Sequence, residues 1–240
     1  MEGEKMQKEE TIHSGHRQRL KERFCREGLD NFNEINVLEL VLFYCVQRRD
    51  TNPLAHRLLS YFGSLSKVLE APREELMAVE GVTENIAIYL NLIKDVGRYY
   101  MVNREDVPRV MESLDQCAEF LRAYFIGRSS ETVFLLSLDA RCNVIGCRMI
   151  SEGSVNSAPL TPRMVVEAAI NTRASSVVMA HNHPSGIAVP SEDDAQLTSR
   201  IVQALKSVDV ILVDHIVFGN DDDYVSMAQS PRHAHIFSRG

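Results

Sequence analysis

No run of about 18 apolar residues occurs in this 240-residue chain, so no membrane-spanning helix is expected. The opening stretch, MEGEKMQKEETIHSGHRQRL, is highly charged and lacks the apolar segment of a secretory signal. Cysteine is sparse: five residues, at 25, 45, 117, 142 and 147, with no C-x-x-C pair. An odd count at these spacings argues against a disulfide framework and fits a reducing cytoplasm, with most of the thiols serving as small buried hydrophobes. Positive charge is not in excess either. The net charge is −7, which argues against a protein that coats nucleic acid. The imbalance is spread evenly, with 15 Lys/Arg against 18 Asp/Glu in residues 1–108 and 11 against 15 in residues 109–240. No internal repeat is visible. What remains, 45% apolar and 25% charged residues, is the composition of an ordinary globular protein with room for one large domain or two modest ones.

Periodicity divides the chain. Residues 1–14 are expected to form a disordered tail. Residues 15–105 have a helical pattern, with candidates over Val37–Val46, Asn52–Gly63, Pro72–Val79 and Thr83–Tyr100. Asn52 and Pro53 suit a helix start, and Gly63 suits a helix end. GHRQRLKERFCR (Gly15–Arg26) holds five basic residues and one acid, and fits either phosphate contact or the solvated face of a helix. VNREDVPRV (102–110) is polar, contains Pro108, and marks a domain boundary. Beyond it, a helix over 113–125 precedes strand-like runs at 131–138, 143–150, 175–180, 208–219 and 223–227, with helices over 161–172 and 191–208 between them. Interleaved strands and helices predict an α/β (α+β) domain over 113–229, a mixed sheet flanked by helices, followed by a tail over 230–240.

Within that domain, VVMAHNHPSGIAVPSEDDAQL (Val177–Leu197) concentrates the chemistry. Side chains two apart on an extended strand share a face, so His181 and His183 project together from the end of an apolar strand. The loop PSGIAVP turns the chain, and Ser191 opens a helix with Asp194 in its first turn. Two imidazoles and a carboxylate, with a fourth position left for water, form the pattern of a catalytic zinc site. The same residues admit plainer accounts: Ser191 and Asp194 also have the spacing of a capping box, and paired histidines occur by chance in loops. His215, on an apolar strand, fits a core or ligand-supporting role. His13, His16, His56, His233 and His235 show no metal spacing.

HNHPSGIAVPSEDD resembles the JAMM (MPN+) metalloprotease signature. That signature has two histidines flanking one residue, then seven residues, a serine, two residues and an aspartate, a spacing that His181, His183, Ser191 and Asp194 match in full. The intervening residue is often Ser or Thr in the peptidase branch and is Asn182 here. The HNHPSG form is similar to the RadC family, as are HRQRLKERF, LELVLFY, RRDTNPLAHRLLSYFGSLSKVL and VDHIVFG, so the resemblance spans nearly the whole chain. Where that family often has Glu after a Pro-Arg pair, this sequence has Met164.

The resemblance implies a JAMM-type fold behind a helical domain, a metal-dependent hydrolase centre and an older association with DNA repair. It implies zinc on His181, His183 and Asp194, a glutamate as general base, and a Ser191 hydroxyl that donates to the developing oxyanion. JAMM domains carry the base upstream of the histidines at a helix-to-strand junction. Glu131, at the start of ETVFLLSL, matches that place; Glu152, expected in a turn after a strand, is second, and Glu167 is third. The function expected is a zinc metallopeptidase or related amide hydrolase acting on a peptide or amide substrate. The alternative is a DNA repair or recombination accessory protein with a secondary or idle metal site. LEAPREELMAVEGVTENIAIYL resembles a helix-hairpin-helix, in which Gly81 would present backbone N–H groups to a phosphate. Thr83 stands where a second glycine is usual, and Glu84 adds negative charge, so any DNA contact through the helical domain would be weak.

Overall fold

The computed structural model describes residues 2–47, 50–104, 109–153, 160–220 and 223–238, with 2–14 described by their backbone. The chain divides into two compact units, 1–97 and 98–240. The expected linker at 102–110 begins inside a helix, and its centre, 105–108, lies outside the described residues.

The first unit is helical: α1 (Glu2–Glu27), α2 (Glu34–Leu42), α3 (Asn52–Phe62), α4 (Leu65–Glu70), α5 (Arg73–Met77) and most of α6 (Glu84–Asn103). Local chemistry sets the ends. Asn33 and Ser64 cap α2 and α4 through their side chains. Gly63 ends α3 with φ of 91°, a conformation that costs glycine little. Helix α4 was not foreseen, because it is shorter than two turns and its only start signal is Ser64. Helix α1 begins at Glu2, so the residues expected as a disordered tail carry helical backbone. Their Glu, Lys, Gln and Met content is unable to form a core but favours helix. Leu38, Leu42, Leu58, Leu76 and Leu90 are fully buried in one cluster. Part of the basic run on α1 packs over aromatic rings. Arg17, Lys21 and Arg23 lie over the rings of Phe43, Tyr44 and Phe32, at 4.8, 5.4 and 4.4 Å.

The second unit contains α7 (Leu114–Phe125), β1 (Thr132–Leu138), β2 (Val144–Glu152), α8 (Pro162–Thr172), β3 (Ser176–Asn182), α9 (Glu192–Lys206), β4 (Ile211–Phe218) and β5 (Tyr224–Ser226). The strands form one five-stranded mixed sheet in the order β2-β1-β3-β4-β5. Only β3 and β4 are parallel, and α9 supplies the crossover that a parallel pair requires. Helix α7 covers one face, packing on Phe134, Leu136, Val178 and Ile216. Helices α8 and α9 cover the other, packing on Val133, Leu135, Val177 and Met179. Strand β1 is therefore buried throughout, which explains its unbroken apolar run.

Two further expectations change. Of the expected tail over 230–240, residues 230–238 are described and are packed: a 3-10 turn at Ala234–Phe237 brings Phe237 against the α8/α9 core, and His233 is buried. Most thiols are not buried either. Cys117 is, Cys45 and Cys147 are half-buried, and Cys25 and Cys142 are exposed.

Candidate metal centre

The centre lies where β3 ends and α9 begins, on the face covered by α8 and α9. Strand β3 continues through His181 to Asn182, and its pairing with β1 and β4 makes His181 part of a stiff sheet, 2% exposed. His183 follows just past the strand, its N–H donating to the Phe218 carbonyl at 2.9 Å. Gly186, with φ of 86°, turns the next loop; its N–H donates to the His183 carbonyl at 2.9 Å and its carbonyl accepts from Asn220 N at 3.0 Å. Ser191 then caps α9 and forms a full capping box with Asp194. Both accounts of Asp194 hold together. Its Oδ2 accepts from Ser191 N and Ser191 Oγ at 2.7 and 2.6 Å, while its Oδ1 lies 3.4 Å from His181 Nε2.

The donor set is compact. His181 Nε2 and His183 Nε2 are 2.9 Å apart, and His183 Nε2 is 3.6 Å from Asp194 Oδ2. Ligands held about 2.0–2.1 Å from a tetrahedral ion sit about 3.3–3.4 Å from one another. The three separations straddle that edge. Among the described residues, His181, His183 and Asp194 are the group of His, Cys, Asp or Glu side chains able to hold an ion.

The protons can be placed by following donors from fixed acceptors. Thr198 Oγ1 donates to the Asp194 carbonyl at 2.6 Å, which uses its one proton. His215 Nδ1, 2.6 Å from the same hydroxyl, must then be the donor there. His215 is fully buried, and burial pushes its basicity far below that of an ordinary histidine, so its Nε2 is bare. That bare nitrogen accepts from His181 Nδ1 at 2.7 Å. Burial likewise depresses the pKa of His181, to about 4, with Asp194 opposing the shift and His183 adding to it. His181 Nε2 is therefore a lone pair. On His183, Nδ1 donates to the Ile187 carbonyl at 2.9 Å, which leaves Nε2 as the acceptor position. In these tautomers the Nε2 atoms of the two rings face each other beside a carboxylate. Burial raises the pKa of Asp194, but His181 and the hydrogen bonds from Ser191 outweigh it and hold the carboxyl below its usual range. Such a set repels itself and is suited to a divalent cation of the zinc type.

The remaining expected residues separate by sheet geometry. Glu131 stands immediately before β1 and is exposed. Glu152 is not in a turn: it ends β2, opposite Thr132, and so lies on the α7 face, away from the histidines. It accepts from Arg128 at 3.3 Å and Ser130 at 3.1 Å. Glu167 is exposed on α8, paired with Arg163 at 2.7 Å. The Ser191 hydroxyl, expected to face an oxyanion, donates to Asp194. Thr198 was not singled out in the sequence, where it is one polar residue on the buried side of an amphipathic helix. In the helical unit, Gly81 turns the chain between α5 and α6 with φ of 92°, but Arg57 donates to the Glu80 carbonyl at 3.0 Å and lies against the glycine. Glu84 opens α6 and pairs with Arg73.

A mixed sheet carrying a His-x-His strand end and a capped Asp helix defines a JAB-type domain, and the chain belongs to the family of RadC-like JAB domain proteins, whose model matches residues 111–232. It is 31% identical over 217 residues to the UPF0758 protein FN0909 of Fusobacterium nucleatum, an alignment that covers 87% of this chain and 93% of that protein.

Proposed function

We propose that this protein is a zinc-dependent amide hydrolase, acting as a metallopeptidase where the amide is a peptide bond. The observation that carries the proposal is the convergence of His181 Nε2, His183 Nε2 and the Asp194 carboxylate, at separations of 2.9, 3.4 and 3.6 Å. Zinc held by His181, His183 and Asp194 supplies Lewis acidity, which polarises an amide carbonyl and brings water ionisation close to neutral pH. The chain's own residues do the rest. His215 and Thr198 fix the His181 tautomer, and the Ile187 carbonyl fixes that of His183. Ser191 orients Asp194 so that Oδ1 faces His181 and Oδ2 lies 3.6 Å from His183 Nε2, and release of that bond during reaction frees its O–H for an oxyanion. The Glu131 carboxylate takes a proton from the attacking water and delivers it to the leaving amine. Glu131 is favoured because it combines the histidines' face with an exposed carboxylate that makes no ion pair among the described residues, whereas Glu152 lies on the other face and Glu167 is held in an ion pair.

The test is a Glu→Gln series at 131, 152 and 167 together with His183→Ala, each scored for zinc content and for amine release from a mixed fluorogenic peptide library. Wild type and the three Gln variants should hold one zinc per chain, and His183→Ala should not. Glu131→Gln alone should lose roughly 10²–10⁴-fold in turnover. Absence of zinc uptake in wild type, or full activity in Glu131→Gln, would overturn the assignment.

A further inference from the structure

Asn182 stands between the two ligand histidines, and nothing in the chemistry above uses it. It is 7% exposed, and both ends of its amide are committed to one short segment of β1's approach. Its Oδ1 accepts from Thr132 N at 2.8 Å, and its Nδ2 donates to the Ser130 carbonyl at 3.1 Å. Those two backbone groups flank Glu131.

The place of this contact in the sheet gives it meaning. Pairing between β1 and β3 runs from Leu138 opposite Ser176 to Val133 opposite His181, and there the ladder stops. The Asn182 side chain takes over where backbone pairing ends. Carrying the register on by two residues sets Glu131 level with His183. Residues two apart share a face, so Glu131 lies on the face of Val133 and His181. A strand end with no ladder beyond it would ordinarily fray. Here it is tied on its other edge too: Gly153 N donates to the Glu131 carbonyl at 2.6 Å, and a Cβ on Gly153 would come within 3.2 Å of that oxygen. The backbone of Glu131 is held from both sides while its carboxylate is exposed. Asn182 has no such hold on the ligands. The ring nitrogens of His181 and His183 are oriented by His215 and by the Ile187 carbonyl.

We propose that Asn182 is a positioning residue for Glu131: its amide clamps residues 130–132 and so keeps the Glu131 carboxylate within reach of the centre formed by His181, His183 and Asp194. This rests on the assignment of Glu131 as general base. A Ser or Thr at this position is too short to span both backbone groups.

The test uses the full chain and five variants: Asn182→Ala, Asn182→Leu, which keeps the branched shape of the side chain, Glu131→Gln, and each Asn182 change combined with Glu131→Gln. Amide exchange at Thr132 is followed by NMR, with zinc per chain and peptide-library turnover measured alongside. In wild type, Thr132 should exchange slowly although it opens its strand. Both Asn182 variants should speed that exchange by at least roughly five- to tenfold, what loss of one neutral hydrogen bond amounts to. They should keep one zinc per chain and lower turnover, and neither should lower it further in the Glu131→Gln background. Fast Thr132 exchange in wild type overturns the clamp, and needs no variant to fold. So does unchanged exchange in the variants, loss of zinc comparable to His183→Ala, or additive loss with Glu131→Gln. Failure of the underlying assignment looks different: Glu131→Gln would itself keep full turnover, which removes the purpose assigned to the clamp whatever the exchange rates show.

Discussion

Acid should destabilise the metal-free protein through His181. Burial is the main cause that holds this imidazole as a free base down to about pH 4 in the folded chain. An unfolded histidine protonates near 6.5. Between those values the unfolded chain binds a proton that the folded chain refuses, so stability rises with pH and is lost as pH falls. The loss begins near pH 6.5 and is complete below about pH 4. A gap of two and a half pH units at about 1.4 kcal/mol each amounts to about 3.5 kcal/mol, of which about 3 kcal/mol is lost by pH 4. His215 is shifted in the same direction, by burial and by His181, and adds to the fall. The assay is urea unfolding of chelator-treated protein, followed by circular dichroism from pH 7.5 to 4, for wild type and His181→Gln. The variant has its own baseline stability, so the informative quantity is the difference between the two pH dependences. His181→Gln should lose about 3 kcal/mol less than wild type across the range, at constant dependence on urea. Parallel curves would refute the reasoning, since a neutral buried His181 is what orients Nε2 toward the ion.

Gly186→Ala should weaken zinc binding without removing a ligand. The glycine sits at φ of 86°, and an added Cβ would fall 2.2 Å from Asn220 Nδ2, so the loop that orients His183 through Ile187 must move; unchanged zinc affinity by competition with a chelator would contradict this. DNA binding by the helical unit, if measured by fluorescence anisotropy, should be weak and should fall steeply with salt, because Arg57 covers the Gly81 turn and Glu84 opens the following helix. Tight binding that ignores salt would show that the turn does engage phosphate. Iodoacetamide at pH 8 should label Cys25 and Cys142 first, and should leave Cys147, whose thiol is pushed up to about 12 by burial, and Cys117, at about 11, unreacted until the protein unfolds.

Much of the centre is legible in one dimension because its parts are local. A His-x-His at the end of an apolar strand must share a face, since strand side chains alternate. A Ser-x-x-Asp at a helix start places its acid in the first turn by the same geometry that makes a capping box. Helix ends at Gly63 and strand character in β1 follow from single residues and from an unbroken apolar run. Errors fell where the deciding contact is distant. The segment 230–240 looks like a polar tail, and only the α8/α9 core gives Phe237 somewhere to pack. The basic run 16–26 reads as a phosphate contact or a solvated face, and only the residues flanking α2 bring aromatic rings beneath it. Glu152 reads as a turn residue, and only its pairing opposite Thr132 puts it at the end of β2.

Residue types, their spacing and local backbone preference thus determined which side chains can bind an ion and which segments hold them. Tertiary structure decided which glutamate shares their face and which proton each histidine carries. A bulge in β4 at the Val177/Val178 pairing shifts the register by one residue, so that His215 stands opposite Met179. Without it, His215 would point to the α7 face and could not meet His181 Nδ1, because each one-residue slip in a strand turns every later side chain to the other side. That slip leaves no mark in the order of residues along β4. It exists only in the pairing of one strand with another.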